Sequence, residues 1–164
     1  MENIVISLGS NLGNKEFYLN SSIRHLSKKL KYLSCSSTYE SEGMGVTNHP
    51  KYLNKIILCK TKLSFTSLLN YTKKIEKKIG RKNKNDLLPR VIDIDIIFYG
   101  NKKIFRKNLI LPHKNFADRP FVVLPINELD KKIKRKISKN FKNFLNKRNN
   151  FNNLSSDIIQ KVCE

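Results

Sequence analysis

Asp93 and Asp95 stand two residues apart inside the otherwise apolar run VIDIDIIFY, which begins at Val91. In an extended strand, residues i and i+2 share a face, so the two carboxylates emerge together while Ile92, Ile94 and Ile96 point the other way. Carboxylates held side by side repel, and a half-buried strand tolerates them when a cation neutralises the pair. Hard oxygen donors of this kind suit Mg²⁺ carrying a phosphate. The alternative is an edge strand whose acids only keep it soluble. Arg81, Lys82, Lys84 and Arg90 lie just upstream and offer cations to phosphate oxygens beside such a metal. The class of chemistry this favours is phosphoryl or pyrophosphoryl transfer.

Other reactive residues carry weaker signals. His113 follows Pro112 and precedes Arg119 and Phe121, so a titratable ring, a guanidinium and an aromatic share one short segment. Arg with Phe could grip a nucleotide or stack on a flat heterocycle, and His113 could bond phosphate; the alternative is a loop histidine satisfied by its neighbours. The loop GSNLGNK, Gly9 to Lys15, lacks the spacing GxxxxGK[ST], which excludes a Walker-type cradle. It reads either as a strand-to-helix turn or as backbone lining a ligand. His25 and His49 have no catalytic context. Cys35, Cys59 and Cys163 are scattered without metal-ligand or disulfide spacing and read as reduced bystanders.

The elements that must hold these residues follow from periodicity. Residues 3–8 (NIVISL) form a strand ended by turn chemistry. Leu19, Ile23, Leu26 and Leu30 recur at helical spacing, with Asn14 as cap and Glu16 in the first turn, and predict a helix of about four turns. Two strands, Leu33–Tyr39 and Tyr52–Thr61, flank the long loop SEGMGVTNHP. Ser64 caps a second helix striped by Leu68, Thr72, Ile75 and Ile79 and stopped by Gly80. With the aspartate strand, the order is βαββαβ, an α+β ferredoxin-like arrangement in which both helices cover one face of an antiparallel sheet and the other stays free for a ligand. The segment LILPHKNFADRPFVVLPINEL reads as a short strand, a loop, one helical turn and a further strand extending the sheet. Residues 130–164 are Lys- and Asn-rich, with sparse apolar residues such as Ile137, Phe141, Phe144 and Leu145, and predict a peripheral helix and a frayed end. The expectation is one domain, 1–164, with 130–164 as a basic extension.

The net charge is +20 at pI near 10.0, which on its own suggests a polyanion partner. Lysine far outnumbers arginine, and asparagine and isoleucine are abundant, which is what codon bias in an AT-rich genome produces across unrelated proteins. Nonspecific adhesion to nucleic acid at low salt is therefore expected, and a specific nucleic-acid partner is not. No run of 18 apolar residues exists, and MENIVISLGS lacks the layout of a secretory signal. The expectation is a cytoplasmic monomer without a membrane partner.

Five stretches, spanning roughly residues 4 to 130, resemble the 6-hydroxymethyl-7,8-dihydropterin pyrophosphokinases: LGSNLGN, YESEGMGVTNHPKYLN, IEKKIGR, PRVIDIDIIFYG and LPHKNFADRPFVVLP. The resemblance implies a ferredoxin-like fold that binds ATP with two Mg²⁺ ions and transfers pyrophosphate to the pterin hydroxymethyl oxygen, releasing AMP. By the same resemblance Asp93 and Asp95 are the metal-binding pair. Ser41, Gly43 and Met44 read the pterin edge, Tyr52 and Asn54 bound its pocket, and Phe121 stacks on its ring. Glu76 is a nucleotide-side residue, while Arg81, Arg90, His113 and Arg119 grip ATP, with Arg81 and Arg90 grouped among the catalytic residues.

The chain departs from the family in one place. Where an arginine-rich loop usually ends in Trp-Gly-Pro-Arg, this sequence has RKNKNDLLPR, with Leu87 for the tryptophan, Leu88 for the glycine and Asn83 for an arginine. That predicts a weaker lid over the nucleotide, with Lys82 or Lys84 standing in for the missing charge, since an ammonium does not grip phosphate as a planar fork does. Two other readings compete. One is a basic RNA-binding module on the same fold, opposed by the absent aromatic RNP1 pattern and by the central acids. The other is a degenerate family member retained without catalysis.

Overall fold

The computed structural model describes residues 1–43, 49–82, 88–133 and 159–162. Met44, Asn83, Lys84 and Leu87 lie outside the described residues, as does most of the basic extension. Among the described residues no helix is long and apolar enough to cross a membrane.

Strand β1 (Glu2–Ser10) leads into helix α1 (Lys15–Leu26), strand β2 (Lys31–Cys35), strand β3 (Tyr39–Ser41) and strand β4 (Tyr52–Thr61). Helix α2 (Phe65–Ile79) and strand β5 (Asp93–Tyr99) complete the core. The Asn14 side chain accepts from Phe17 N–H at the start of α1. Ser64 accepts from Ser67 N–H at the start of α2, and Gly80 ends that helix at φ 112°, a left-handed conformation that costs glycine nothing. The sheet runs β5-β1-β4, with β2 and β3 both antiparallel to β4 along its far edge. The strand read as continuous from Leu33 to Tyr39 is thus two strands. They are broken at Ser36, whose N–H donates to Ile56 O and whose hydroxyl accepts from Ile56 N–H. The βαββαβ order and the ferredoxin-like fold are as the periodicities predict.

Both faces of the sheet are used. Ile4, Ile6 and Leu8 of β1 and Ile94 and Ile96 of β5 point to the side of α1 and α2, where Leu19, Leu26, Leu68 and Ile75 close the main core. The opposite face was expected to be free. Instead, half of it is covered by helix α3 (Pro120–Ile133). Val122, Ile126 and Leu129 pack on Val5, Ile56, Leu58, Ile97 and Phe98. Each such aliphatic residue, fully buried, contributes about 1.5–3 kcal/mol relative to exposure.

FVVLP is therefore helical and does not extend the sheet. Its Val-Val pair favours a strand locally, but Val122, Ile126 and Leu129 recur at helical spacing, and burial of that stripe decides the outcome. Before it come a hairpin of β6 (Ile104–Arg106) and β7 (Leu109–Leu111), a cis Leu111–Pro112 bond and a short 3₁₀ turn at Phe116–Asp118. The expectation of a frayed end also needs correction. Strand β8 (Ile159–Lys161) pairs antiparallel with β3 and becomes the new sheet edge.

Candidate active site

The part of the second face that α3 leaves uncovered is a cavity of about 430 Å³. Its floor follows from strand alternation. Val5 on β1 is buried under α3, and Ser7 and Gly9, two and four residues on, line the cavity. The register pairs Asp93 with Gly9 and Asp95 with Ser7, so both carboxylates stand on this floor. Tyr52 and Asn54 reach it from β4 and Ser41 from β3.

Cations surround the two acids. Arg81 Nη1 lies 2.6 Å from Asp93 Oδ1, and Arg90 Nη1 3.0 Å from Asp93 Oδ2. Burial alone would raise the Asp93 carboxyl, but Arg81, Arg90 and Lys73 outweigh it and hold the group below the usual carboxylate range. Asp95 is less well compensated, with Arg119 Nη1 at 3.3 Å. Burial, and after it the charge of Asp93, push Asp95 up to about 6, with Arg119 and Lys73 offsetting only part. Asp95 is thus the less compensated of the two carboxylates, and a further cation beside it would lower the cost of its ionisation.

His113 is held beside β5 by its N–H, which donates to Ile97 O at 3.0 Å. Burial and then Arg119 hold its ring at about 4, so it is neutral near neutral pH. The Asn115 N–H donates to Nδ1 at 3.4 Å, which leaves the ring proton on Nε2, 3.9 Å from Asp95 Oδ2. Phe121 lines the opposite wall, its ring centroid 5.9 Å from the Arg119 guanidinium. On the β3–β4 side, the buried Asn54 carboxamide donates to Ser41 Oγ at 2.9 Å.

The candidate metal, nucleotide and pterin residues converge here except for Met44 and Glu76; Lys82 does not line the cavity, and Lys84, like Met44, lies outside the described residues. Glu76, read as a nucleotide-side residue, is 3 % exposed and stands behind the wall. Its carboxylate accepts from Ile94 N–H at 2.8 Å and from Arg81 Nη1 at 2.7 Å, with Lys73 Nζ at 2.9 Å. It therefore braces Arg81 and β5.

Sequence reasoning also passed over residues that belong to the site. Ser7, Lys73, Lys114 and Asn115 line the cavity. Lys73 sits one helical turn before Glu76 on α2, a spacing that could have marked it. Asn11, 1 % exposed, bridges the two segments that flank the site: its Nδ2 donates to Pro50 O at 3.2 Å, and its Oδ1 accepts from Arg90 N–H at 2.7 Å.

The donor set can be tested for a metal ion. Among the described residues, no group of three or more His, Cys, Asp or Glu is arranged to hold an ion. Two carboxylates on a cation-rich wall fit Mg²⁺ of the kind that takes one or two protein carboxylates and completes its shell with substrate phosphates and water. They do not fit a closed, all-protein site.

A family model described as 7,8-dihydro-6-hydroxymethylpterin-pyrophosphokinase matches residues 5–131. The chain is 42% identical over 131 residues to a folate synthesis bifunctional protein of Arabidopsis thaliana, covering 78% of this chain and 27% of that protein. It is 37% identical over 133 residues to the 2-amino-4-hydroxy-6-hydroxymethyldihydropteridine pyrophosphokinase of Aquifex aeolicus, covering 81% and 83%. The same-named protein of Bacillus subtilis is 33% identical over 138 residues. The chain spans well under half the length of several curated relatives: 27% of the Arabidopsis protein, 38% of the bifunctional protein FolKE of Lactococcus lactis subsp. cremoris and 17% of the folic acid synthesis protein fol1 of Pneumocystis carinii. Among solved structures, the HPPK-DHPS S436F/A437G/A613S triple mutant of Plasmodium falciparum superposes with a TM-score of 0.66 at 15% identity, over 98% of this chain and 47% of that one, which supports the fold.

Proposed function

The chain belongs to the 7,8-dihydro-6-hydroxymethylpterin-pyrophosphokinase family, and on that premise we propose that it transfers pyrophosphate from ATP to the hydroxymethyl group of 6-hydroxymethyl-7,8-dihydropterin, releasing AMP, in folate biosynthesis. The observation that carries the reading is the Asp93–Asp95 pair, ringed by arginines, on the floor of a cavity whose other wall is Ser41, Asn54 and Phe121.

The two ends of the cavity differ in chemistry. Arg81, Arg90 and Arg119 present guanidinium groups to a polyphosphate, and His113 offers a neutral Nε2–H to an oxygen that a charged ring would over-bind. Asn54, fixed by Ser41, presents a carboxamide to the donor and acceptor edge of a pterin, and Phe121 presents an apolar ring to its face. Gly43 and Tyr52 also line the cavity, Tyr52 beside Arg90. Asp93 and Asp95 would hold Mg²⁺, which when bound offsets phosphate charge and favours ionisation of the attacking hydroxyl. In the transfer, a bond forms from the hydroxymethyl oxygen to the β-phosphorus, the bridge to the α-phosphate breaks, AMP leaves and the hydroxyl proton is lost. The residues' part is to fix the two substrates so that oxygen and phosphorus meet in line.

The same reading takes the protein to act as a monomer on two small substrates. A cytoplasmic location belongs to the same reading, with Cys59 buried as a free thiol. The test is product analysis with purified protein, ATP, Mg²⁺ and 6-hydroxymethyl-7,8-dihydropterin. AMP should form only with all components present and should vanish in Asp95→Ala. ADP in place of AMP, or no nucleotide product from a folded, pterin-binding protein, would overturn the reading.

A further inference from the structure

The Ser41 wall of the cavity is carried by β3, a strand of only three residues. Strands that short do not hold their own position, and an edge strand with one free side is held least of all. Here neither side is free. β4 pairs along one side, with Tyr39 opposite Asn54 and Ser41 opposite Tyr52. β8 pairs along the other, with Ser41 opposite the buried Ile159 and Tyr39 opposite Lys161. The pairing is extended where Val162 N–H donates to Thr38 O at 3.0 Å.

A second clamp comes from α3. The Glu128 carboxylate accepts from Ser37 N–H at 3.2 Å, from Ser37 Oγ at 2.9 Å and from Tyr39 Oη at 2.9 Å. Lys161 Nζ of β8 lies 4.0 Å from the same group. One side chain thus ties the bend before β3, β3 itself and β8 to the helix whose first turn carries Phe121. Burial, followed by Glu128, raises the Tyr39 hydroxyl to about 12, so it remains a donor.

We propose that β8 and Glu128 together position the Ser41–Asn54 wall for the pterin, which makes the C-terminal strand, outside the residues 5–131 that match the family, part of the substrate-binding apparatus. The inference rests on the reading of that wall as the pterin end of the cavity. Glu128 is a positioning residue and touches no substrate. At the nucleotide end, Arg81 is joined to Asp93 of β5 and to Glu76 of α2, a set of bonds separate from those of Ser37 and Tyr39 to Glu128, while Arg119, at the start of α3, is shared by both ends.

The experiment is a pair of titrations on the full-length protein, one with 6-hydroxymethyl-7,8-dihydropterin and one with a non-hydrolysable ATP analogue, for Glu128→Ala, Glu128→Gln and Val162→Pro. Glu128→Ala and Val162→Pro are expected to weaken pterin binding about tenfold, the equivalent of about 1.4 kcal/mol, and to leave the nucleotide within about twofold. Glu128→Gln, which keeps an acceptor for Ser37, should recover most of the loss. Unchanged pterin affinity in Glu128→Ala, or equal weakening of both ligands, would overturn the inference. Should Val162→Pro fail to fold, the two Glu128 variants decide alone. A wild-type protein that binds no pterin would instead bring down the substrate reading on which the inference stands.

Discussion

Asn11 and Arg90 are joined twice: the Arg90 N–H donates to Asn11 Oδ1 at 2.7 Å, and the Asn11 N–H donates to Arg90 O at 3.1 Å. Because Asn11 Nδ2 also holds Pro50 O, one buried carboxamide fixes Pro50 ahead of β4 and sets where Arg90 enters the site. Asn11→Ala leaves the buried Arg90 N–H without its acceptor and should cost about 1–3 kcal/mol in urea unfolding. It should also lower kcat/KM, because Arg90 loses its fixed approach to Asp93. Asn11→Asp keeps the acceptor and gives up only the donor to Pro50, so its loss of stability should be the smaller. A larger loss in the aspartate variant would contradict this account.

Glu76 provides a second test of positioning. Its carboxylate is shared by Arg81, Lys73 and the Ile94 N–H, and it lies behind the cavity wall. Glu76→Ala removes a buried anion from two cations and a backbone donor, a change of the kind that costs about 3–5 kcal/mol. Glu76→Gln retains a neutral acceptor for Ile94 and Arg81 and should lose less stability, yet it should still weaken nucleotide binding because the Glu76–Arg81 ion pair is lost. Calorimetric titration with an ATP analogue separates the two effects. Full nucleotide affinity in Glu76→Gln would show that the brace is unimportant.

The aspartate pair was legible because alternation in a strand is a local property: Asp93 and Asp95 must share a face whatever surrounds them. The caps at Asn14, Ser64 and Gly80 were legible for the same reason, since each acts within one turn of its own backbone. Strand β8 was not, because Ile159–Lys161 carries no pattern of its own and is a strand only by pairing with β3, more than a hundred residues away in sequence. The role of Glu76 was hidden in another way. The family resemblance marked it as a nucleotide-side residue, and nothing local announces that the Ile94 N–H will point at it. Helix α3 was misread because the strand preference of Val122 and Val123 was weighed over the longer helical period that burial rewards.

Gly9 links the sequence motif LGSNLGN to the cavity. A Cβ there would come 3.3 Å from Asn54 Oδ1 and 3.7 Å from the Tyr52 ring, tighter than the carboxamide accepts without moving. The backbone of β1 is otherwise ordinary at this position, so Gly9→Ala should fold with little loss. Pterin affinity should fall several-fold, about 1 kcal/mol, as Asn54 is displaced from Ser41. Nucleotide affinity should fall less, since the added Cβ meets Asn54 and Tyr52 directly and the arginines only through them. Fluorescence titration with the pterin reads the first effect, and an unchanged affinity would mean that Asn54 relaxes without consequence for the ligand.

The altered segment RKNKNDLLPR begins and ends on two arginines that grip one carboxylate: Arg81 holds Asp93 Oδ1 and Arg90 holds Asp93 Oδ2. Its ends are therefore fixed at the phosphate side of the cavity, and the substitutions at Asn83, Leu87 and Leu88 change what the segment offers a nucleotide without altering where it is anchored. An added guanidinium forks onto phosphate oxygens as Lys82 and Lys84 cannot, and an indole brings a broad face to a purine. The double variant Asn83→Arg with Leu87→Trp should therefore tighten ATP about tenfold, close to 1.4 kcal/mol, while pterin affinity and thermal stability stay where they are. Steady-state kinetics at saturating pterin would show the gain as a lower KM for ATP, with a rise in kcat if closure over the nucleotide limits turnover. No gain in either quantity would mean that the lysines already supply all the charge the segment needs.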